Sequence, residues 1–406
     1  RAGAVSRVSR DREVELSRAL QGNVLFRGII DGTDVGVDLL GAHPRGTALM
    51  TPELCAAATE ELLGAADGHG YFPGGYPPLR RAVAEWFERS GLPTNERQVL
   101  VTNGAQQALS LAAAFFLQRG DVVVLENPTY AGAIDAANAA GARIVPLPLS
   151  FDGARVDVLR NLLAGASPKL VYLNPAFHNP TGTVMPEAAR DEVAHLVARH
   201  QVALVDDRVV ADLALDGEPA GPIALHAPEA PILTVGSMSK LFWSGLRVGW
   251  IRAPESIVAR ITRFKAVLDL GASVPGQIVA AHLLRRADDV REERRREMSA
   301  RLDLMGALLT DQLPSWSWTR PKGGLVLWVR LPFGSAREFA SLADRRGVAV
   351  LPGPVTSPDM GFDDHLRLTY AREPEVLRDG VRRLVSAWDG YAPGVPRPHT
   401  RLEVIV

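Results

Sequence analysis

The sequence predicts an α/β fold: a large, mostly parallel sheet with helices on both faces, followed by a smaller C-terminal α/β lobe. Three observations predict it. From about residue 78 onward, helical patterns alternate regularly with short apolar runs, the rhythm of strand–helix–strand units. Most of those runs are solidly apolar instead of alternating, as strands are when helices cover both faces of a sheet. After about residue 285 the rhythm changes and a long, highly charged helical stretch leads into a second group of short strands.

In chain order, residues 1 to about 35 are Arg-rich and weakly patterned and read as an N-terminal arm or linker, with Asp11–Leu20 as one short helix. Residues 36–284 form the expected large domain. Its helices are expected at Leu79–Arg89, Gln106–Gln118, Gly132–Ala140 and Glu187–Arg199. Its strands are expected at Val99–Thr102, Val122–Leu125, Leu170–Leu173, Ala203–Val205 and Leu233–Val235. Residues 285–406 form the smaller domain, shared with part of the N-terminal segment. Here a helix from Arg285 to about Leu309 precedes strands near Leu325–Val329, Val348–Leu351 and Leu366–Thr369, with a helix at Ser335–Arg345. The run Arg291-Glu292-Glu293-Arg294-Arg295-Arg296-Glu297 mixes acids with its arginines, so it reads as a solvated helix face and not as a basic patch.

Composition narrows the function classes. The chain has 406 residues, 47% hydrophobic and 22% charged, the balance of a globular enzyme and not of a disordered or fibrous protein. With 45 Lys plus Arg against 46 Asp plus Glu, the net charge of −1 offers no electrostatic footprint for nucleic acid or an anionic membrane. A single cysteine, Cys55, excludes an internal disulfide framework and any multi-cysteine metal site. No run approaches the ~18 apolar residues of a membrane span, and no signal peptide is visible, so a cytoplasmic enzyme is expected. The chain starts at Arg1 and not at Met, the expectation being that it is a piece of something longer.

Four features carry chemistry, and they fall in order along the chain. Gly104-Ala105-Gln106 follows the strand Val99–Thr102 and opens a helix, where backbone amides and the helix dipole hold phosphate well. Asn179-Pro180-Thr181-Gly182 follows Leu170–Leu173 and would also suit a plain tight turn. Asp207 lies just past Ala203–Val205, where open α/β sheets place their ligand crevice. The fourth is Ser237-Met238-Ser239-Lys240-Leu241-Phe242-Trp243-Ser244-Gly245-Leu246-Arg247. The chain has only a handful of lysines among many arginines. A lysine flanked by two hydroxyls and followed by an arginine suits an aldehyde cofactor that bears a phosphate. Together the features describe pyridoxal 5′-phosphate.

At these residues the chain resembles the fold-type I pyridoxal phosphate enzymes of the class I/II aminotransferase group, from about Val37 to Trp388. The matching segments are Tyr71-Phe72-Pro73-Gly74-Gly75 through Leu79-Arg80, Asn127-Pro128-Thr129-Tyr130, His178-Asn179-Pro180-Thr181-Gly182, the Lys240 segment and Leu366-Arg367-Leu368-Thr369. Within the group it is most similar to the aminotransferase-like domain of MocR-type regulators of the GntR family, at Phe177 to Gly182 and Gly236 to Trp243.

The resemblance implies a role for each matching residue. Lys240 would be the Schiff-base lysine and the proton carrier at the substrate α-carbon. Asp207 would hold the pyridinium proton; its neighbour Asp206 competes, and Asp207 is preferred because its 28-residue distance from Asn179 (207 − 179) matches the family without a gap. Asn179 would donate to the ring hydroxyl beside the substrate, and Tyr130 would stack on the ring. Ala105, Gln106, Ser237, Ser239 and Arg247 would form the phosphate cup, joined by Tyr71 from the partner of a homodimer with shared sites. Arg367 would clamp the substrate α-carboxylate through its bidentate fork, and Gly41 would let the N-terminal segment approach the substrate. Tyr76, His178, Trp243 and Arg330 are candidate linings of the side-chain pocket. One departure stands out: Val210 and Arg208 occupy positions where the family commonly has a tyrosine and an acid, and MocR-type domains often tolerate an apolar residue at the former.

Three functions compete on this reading. The first is an aminotransferase acting on an α-amino acid through Lys240. The second keeps the cofactor but performs replacement or carbon–carbon bond-forming chemistry. The third is the effector domain of a MocR-type regulator whose DNA-binding part precedes residue 1, since these residues contain no helix-turn-helix and would not bind DNA alone. No metal is expected, and no membrane partner.

Overall fold

The computed structural model describes residues 36–391. The expected short helix at Asp11–Leu20 and the arm around it lie outside the described residues. The large sheet has eight strands in the order β2-β9-β8-β7-β6-β3-β4-β5. They are β2 (Val99–Thr102), β3 (Val122–Asn127), β4 (Arg143–Ser150), β5 (Gly153–Ala154), β6 (Leu170–Leu173), β7 (Ala203–Asp207), β8 (Ile232–Ser237) and β9 (Gly249–Arg252). Strands β8, β7, β6, β3 and β4 run parallel, while β9 is antiparallel to both its neighbours, β8 and β2. The two reversals restore direction, so β2 points the same way as β8.

Side chains leave a strand alternately to its two faces. Val124, Val171, Leu204 and Ile232 therefore enter one buried cluster, with the helices Pro77–Arg89 and Glu187–His200. Their chain neighbours Val123, Leu125, Tyr172, Val205 and Leu233 enter a second cluster, beneath the helices Ala105–Phe116 and Ala131–Ala139. Both faces are covered, which is why these strands read as unbroken apolar runs.

Three large-sheet strands lie outside the expected set: β4, the two-residue β5 and β9. Strand β4 carries Pro146 and Pro148, and proline cannot donate to a ladder. It is tolerated because β4 sits near the sheet's end, with only the two-residue β5 beyond it. Strand β9 is four residues long and directly follows the Lys240 segment, so its apolar signal merges with that motif.

A second sheet, order β10-β11-β14-β13, is antiparallel and consists of β10 (Ser317–Trp318), β11 (Val326–Arg330), β13 (Leu351–Pro352) and β14 (His365–Thr369). The expected strand Val348–Leu351 is in fact divided. Val348–Ala349 (β12) pairs in parallel with Val37–Asp38 (β1), and only Leu351–Pro352 joins the four-stranded sheet. The N-terminal segment is thereby stitched to the C-terminal lobe.

The long charged helix spans Ala287–Gln312, and one of its arginines corrects the solvated-face reading. Arg294 is 1% exposed. Its guanidinium donates to Leu241 O at 2.9 Å, to Phe242 O at 3.0 Å and to Arg45 O, and pairs with Glu297 at 2.7 Å. Three of its neighbours do lie on the solvent side: Glu292, Arg295 and Arg296 pair with one another there. Charge pattern alone does not separate a residue that turns inward to bond carbonyls from those around it. Arg294→Met should lower unfolding stability by about 3 kcal/mol, because the carbonyls and Glu297 lose their partner in a buried place. Urea unfolding of the two proteins measures it.

Candidate active site

The chemistry-bearing residues meet at the C-terminal ends of the aligned strands, where open α/β sheets bind ligands. Gly104 follows β2, Tyr130 follows β3, Asn179 follows β6, Asp207 ends β7, and Lys240 follows β8. The large sheet thus brings together five segments that lie far apart in sequence.

At the β2 turn, Gly104 caps the helix Ala105–Phe116 with φ +79°, a left-handed conformation that favours glycine. A Cβ there would lie 2.8 Å from Arg247 Nη2, and a Cβ on Gly249 would lie 2.7 Å from Gly104 C. Positive φ at Gly104 and the backbone pressed against Gly249 favour glycine at both places. The first-turn amides of Ala105 and Gln106 have no intrahelical carbonyl to bond, as at any helix start. Opposite them, Ser237 caps the short helix Met238–Leu241. Its Oγ accepts from Ser239 N at 3.1 Å and donates to Ser239 Oγ at 3.0 Å. Arg247 donates to Ser244 O and Asn103 O and stands exposed at the rim. Amides, hydroxyls and a guanidinium converge on one cradle.

Asp207 and Asp206 separate by strand alternation. Asp207 shares the face of Val205, and its Oδ2 accepts from Tyr172 Oη at 2.6 Å while Oδ1 accepts from Val209 N at 3.0 Å. Asp206 points to the opposite face and accepts from Ile223 N at 2.9 Å. Burial raises the Asp207 pKa, opposed by the hydrogen bonds from Tyr172 and Val209. Asn174 Nδ2 donates to Asp207 O, and Asn174 Oδ1 accepts from Asn179 N at 2.7 Å, so the loop after β6 is tied to the end of β7. Tyr130 donates to Gln106 Oε1 at 3.1 Å, and burial raises its phenol to about 12.

Lys240 Nζ donates to Ala42 O at 2.7 Å. Removal from water lowers its pKa to about 8, and the positive fields of Arg367 and Arg247 push the same way against Asp207. Arg367 is 2% exposed and donates to Asn179 Oδ1 at 3.1 Å and Leu40 O at 2.5 Å, while its Nε is buried without a partner. Gly41 lies between them: a Cβ there would meet His43 Nε2 at 2.5 Å and Asp38 Oδ2 at 2.8 Å.

Three expected positions lie elsewhere within one chain. Tyr71 is 63% exposed and stacks on His69. Arg330 is exposed and pairs with Asp364 at 2.9 Å. His178 is buried beneath the site, with Nδ1 at 2.9 Å from Thr181 Oγ1 and Nε2 at 3.4 Å from Glu126. The sequence reading missed Tyr172, Asn174 and Glu126, and the clamp in which Arg372 donates to Asp38 and His43 to fix the Gly41 turn. A polar-tipped Tyr172 inside an otherwise apolar strand was the one available signal.

The residues present fit pyridoxal phosphate. The glycine-walled cradle suits a phosphate, Asp207 a protonated ring nitrogen, Lys240 an aldehyde, and the unpartnered Arg367 Nε a carboxylate. The family profile for aminotransferase class I and II matches residues 42–384. The chain belongs to the class I and II aminotransferases. Pyridoxal 5′-phosphate is accordingly its cofactor, and amino-group transfer its chemistry.

Among its relatives, the 2-aminoadipate transaminase of Thermus thermophilus is 35% identical over 324 residues, 78% of this chain and 80% of the relative. The aromatic-amino-acid aminotransferase 1 of Thermococcus litoralis is 31% identical over 326 residues, covering 77% and 78%. The HTH-type transcriptional regulator YdfD of Bacillus subtilis is also 31% identical, over 81% of this chain and 70% of the relative. In structure, the α-aminoadipate aminotransferase LysN of Thermus thermophilus, complexed with N-(5′-phosphopyridoxyl)-L-leucine, matches with a TM-score of 0.80 and 31% identity, over 89% of this chain and 94% of that one. Structure and sequence agree on the family.

The Lys240 amine must be neutral to attack an aldehyde. Uptake of pyridoxal phosphate by cofactor-free protein should therefore speed up as pH rises toward about 8 and level off above it. Stopped-flow absorbance checks this; a rate that keeps climbing to pH 10, as an ordinary lysine requires, contradicts the lowered value.

Proposed function

We propose that this chain transfers the amino group of an α-amino acid, with Lys240 as the amine that holds the cofactor and then moves the α-proton. The observation that carries the reading is the Lys240 amine itself: lowered to about 8 and set between Arg367, Arg247 and Asp207. When bound, pyridoxal phosphate supplies an aldehyde that takes up the amino group and a ring that accepts electrons from the breaking Cα–H bond. The chain's own residues do the rest. Asp207, as a carboxylate, would hold a proton on the ring nitrogen. The Ala105 and Gln106 amides, Ser237, Ser239 and Arg247 would bind the phosphate, and Tyr130 would stack on the ring. Asn179 would donate to the ring hydroxyl, while its Oδ1 accepts from Arg367, whose fork would take the α-carboxylate. Lys240 would then serve the α-carbon as base and afterwards as acid.

A homodimer with shared sites accompanies this reading. Tyr71, Val267, Leu268 and Leu270 are 63%, 85%, 62% and 55% exposed, and the backbone at Gly271 packs on Phe72, next to Tyr71. Such an apolar patch suits a subunit contact that would carry Tyr71 to the neighbouring phosphate. No helix among the described residues is long and apolar enough to cross a membrane. A lone, exposed Cys55 suits a reducing cytoplasm.

Incubation of the loaded protein with a panel of amino acids should yield pyridoxamine phosphate and a keto acid from at least one of them. Arg367→Lys should raise KM for that substrate roughly a hundredfold, because the bidentate fork is lost, while cofactor absorbance stays intact. The similarity to YdfD favours a second reading, in which the same site senses an amino acid for a regulator. Tight amino-acid binding with no pyridoxamine phosphate from any of the panel would favour it.

A further inference from the structure

Tyr172 has no part in the scheme above, yet its environment is unusual. It is the one polar-tipped side chain of β6, 2% exposed, and its ring lies in the second apolar cluster with Leu125, Leu170 and Val205. Its hydroxyl makes a 2.6 Å bond to Asp207 Oδ2, the short distance of an O–H donor facing a charged acceptor. Burial and the Asp207 charge raise the phenol well above its ordinary value, so it stays protonated and donates to the carboxylate. Asp207 needs that donor. It is 5% exposed, with Glu126 from β3 as a second acid and Tyr130 beside it; Lys240 supplies the opposing positive field and Asp206 faces away on the other side of the sheet. A buried carboxylate with another acid nearby tends to take up a proton, and a neutral Asp207 can no longer hold a proton on a pyridine nitrogen.

We propose that Tyr172 is a positioning residue for the cofactor: from beneath Asp207, its hydroxyl orients the carboxylate and keeps it ionised, so that Asp207 faces the pyridine ring as an anion. Resting on the aminotransferase reading of the site, this assigns to β6 the side-chain donor of Asp207. Val210, half-buried against the opposite cluster, offers Asp207 no hydroxyl. The hydroxyl acts below the plane of the site and through one residue only, Asp207.

The test compares wild type, Tyr172→Phe, Asp207→Asn and the double variant, reading pyridoxal phosphate affinity by equilibrium absorbance and melting temperature of the cofactor-free proteins. Tyr172→Phe keeps the ring and should fold, bind the cofactor roughly tenfold more weakly, and lose affinity on acidification at a higher pH than wild type. The sign follows from the donor: it favours the charged carboxylate, so its removal raises the Asp207 pKa and moves the acid limb upward. In the Asp207→Asn background the same change should cost no further affinity. Equal affinity and an unshifted acid limb in Tyr172→Phe overturn the role. An equal loss in both backgrounds overturns it too, since the hydroxyl would then act by packing alone. Should Tyr172→Phe melt far below wild type, Tyr172→His, which restores a donor, must recover affinity and the acid limb, or the role falls. Failure of wild type itself to bind pyridoxal phosphate overturns the functional reading of the whole site.

Discussion

The arrangement rests on one electrostatic constraint. The large sheet aims five strand ends at a single place, and there the fold gathers the positive fields of Lys240, Arg367 and Arg247 around the buried Asp207. Like charges drawn together out of water are costly unless one of them gives up its proton or anions join them. Lysine is the group able to yield, since an arginine keeps its charge. Burial first, and the two guanidinium fields second, make an amine that gives up its proton more readily than an ordinary lysine. On the proposed reading, a phosphate at the glycine-walled helix start and a carboxylate at Arg367 would complete this balance.

The rest of the fold holds that cluster in register. Arg294 binds the carbonyls of Leu241, Phe242 and Arg45, so one buried guanidinium joins the lysine's turn to the segment whose Ala42 carbonyl receives the amine. Arg372 and Asp38 fix the same segment from the C-terminal lobe, and the parallel pairing of β1 with β12 carries it there. The backbone at Leu40 to Ala42 is thus bonded to both parts of the fold, Leu40 O by Arg367 of β14 and Ala42 O by Lys240.

Much of this was legible in the sequence, and the gaps have physical causes. Solidly apolar runs marked β2, β3, β6, β7 and β8 because both faces are buried. The prolines of β4 hid it, and the shortness of β9 hid the reversal. Several candidate site residues announced themselves by residue type: Gly104 and Asn179 on turns, Lys240 on the short helix Met238–Leu241 and Arg367 on β14. Residues that act from beneath did not. Tyr172 reads as core, Arg294 as one charge among many, and Asp38 as part of an unremarkable loop, because their meaning lies in partners hundreds of residues away or on a neighbouring strand. Tyr71 belongs to a third group, since an exposed aromatic acquires a role only against another subunit.

The central claim is that one amine among four lysines receives the cofactor. Reduction of the pyridoxal phosphate-loaded protein with borohydride, followed by peptide mass mapping, locates that amine directly. The account predicts the phosphopyridoxyl group on the peptide that carries Lys240 and nowhere else. Its attachment to Lys169, Lys265 or Lys322, or to no lysine at all, would contradict the account at its root.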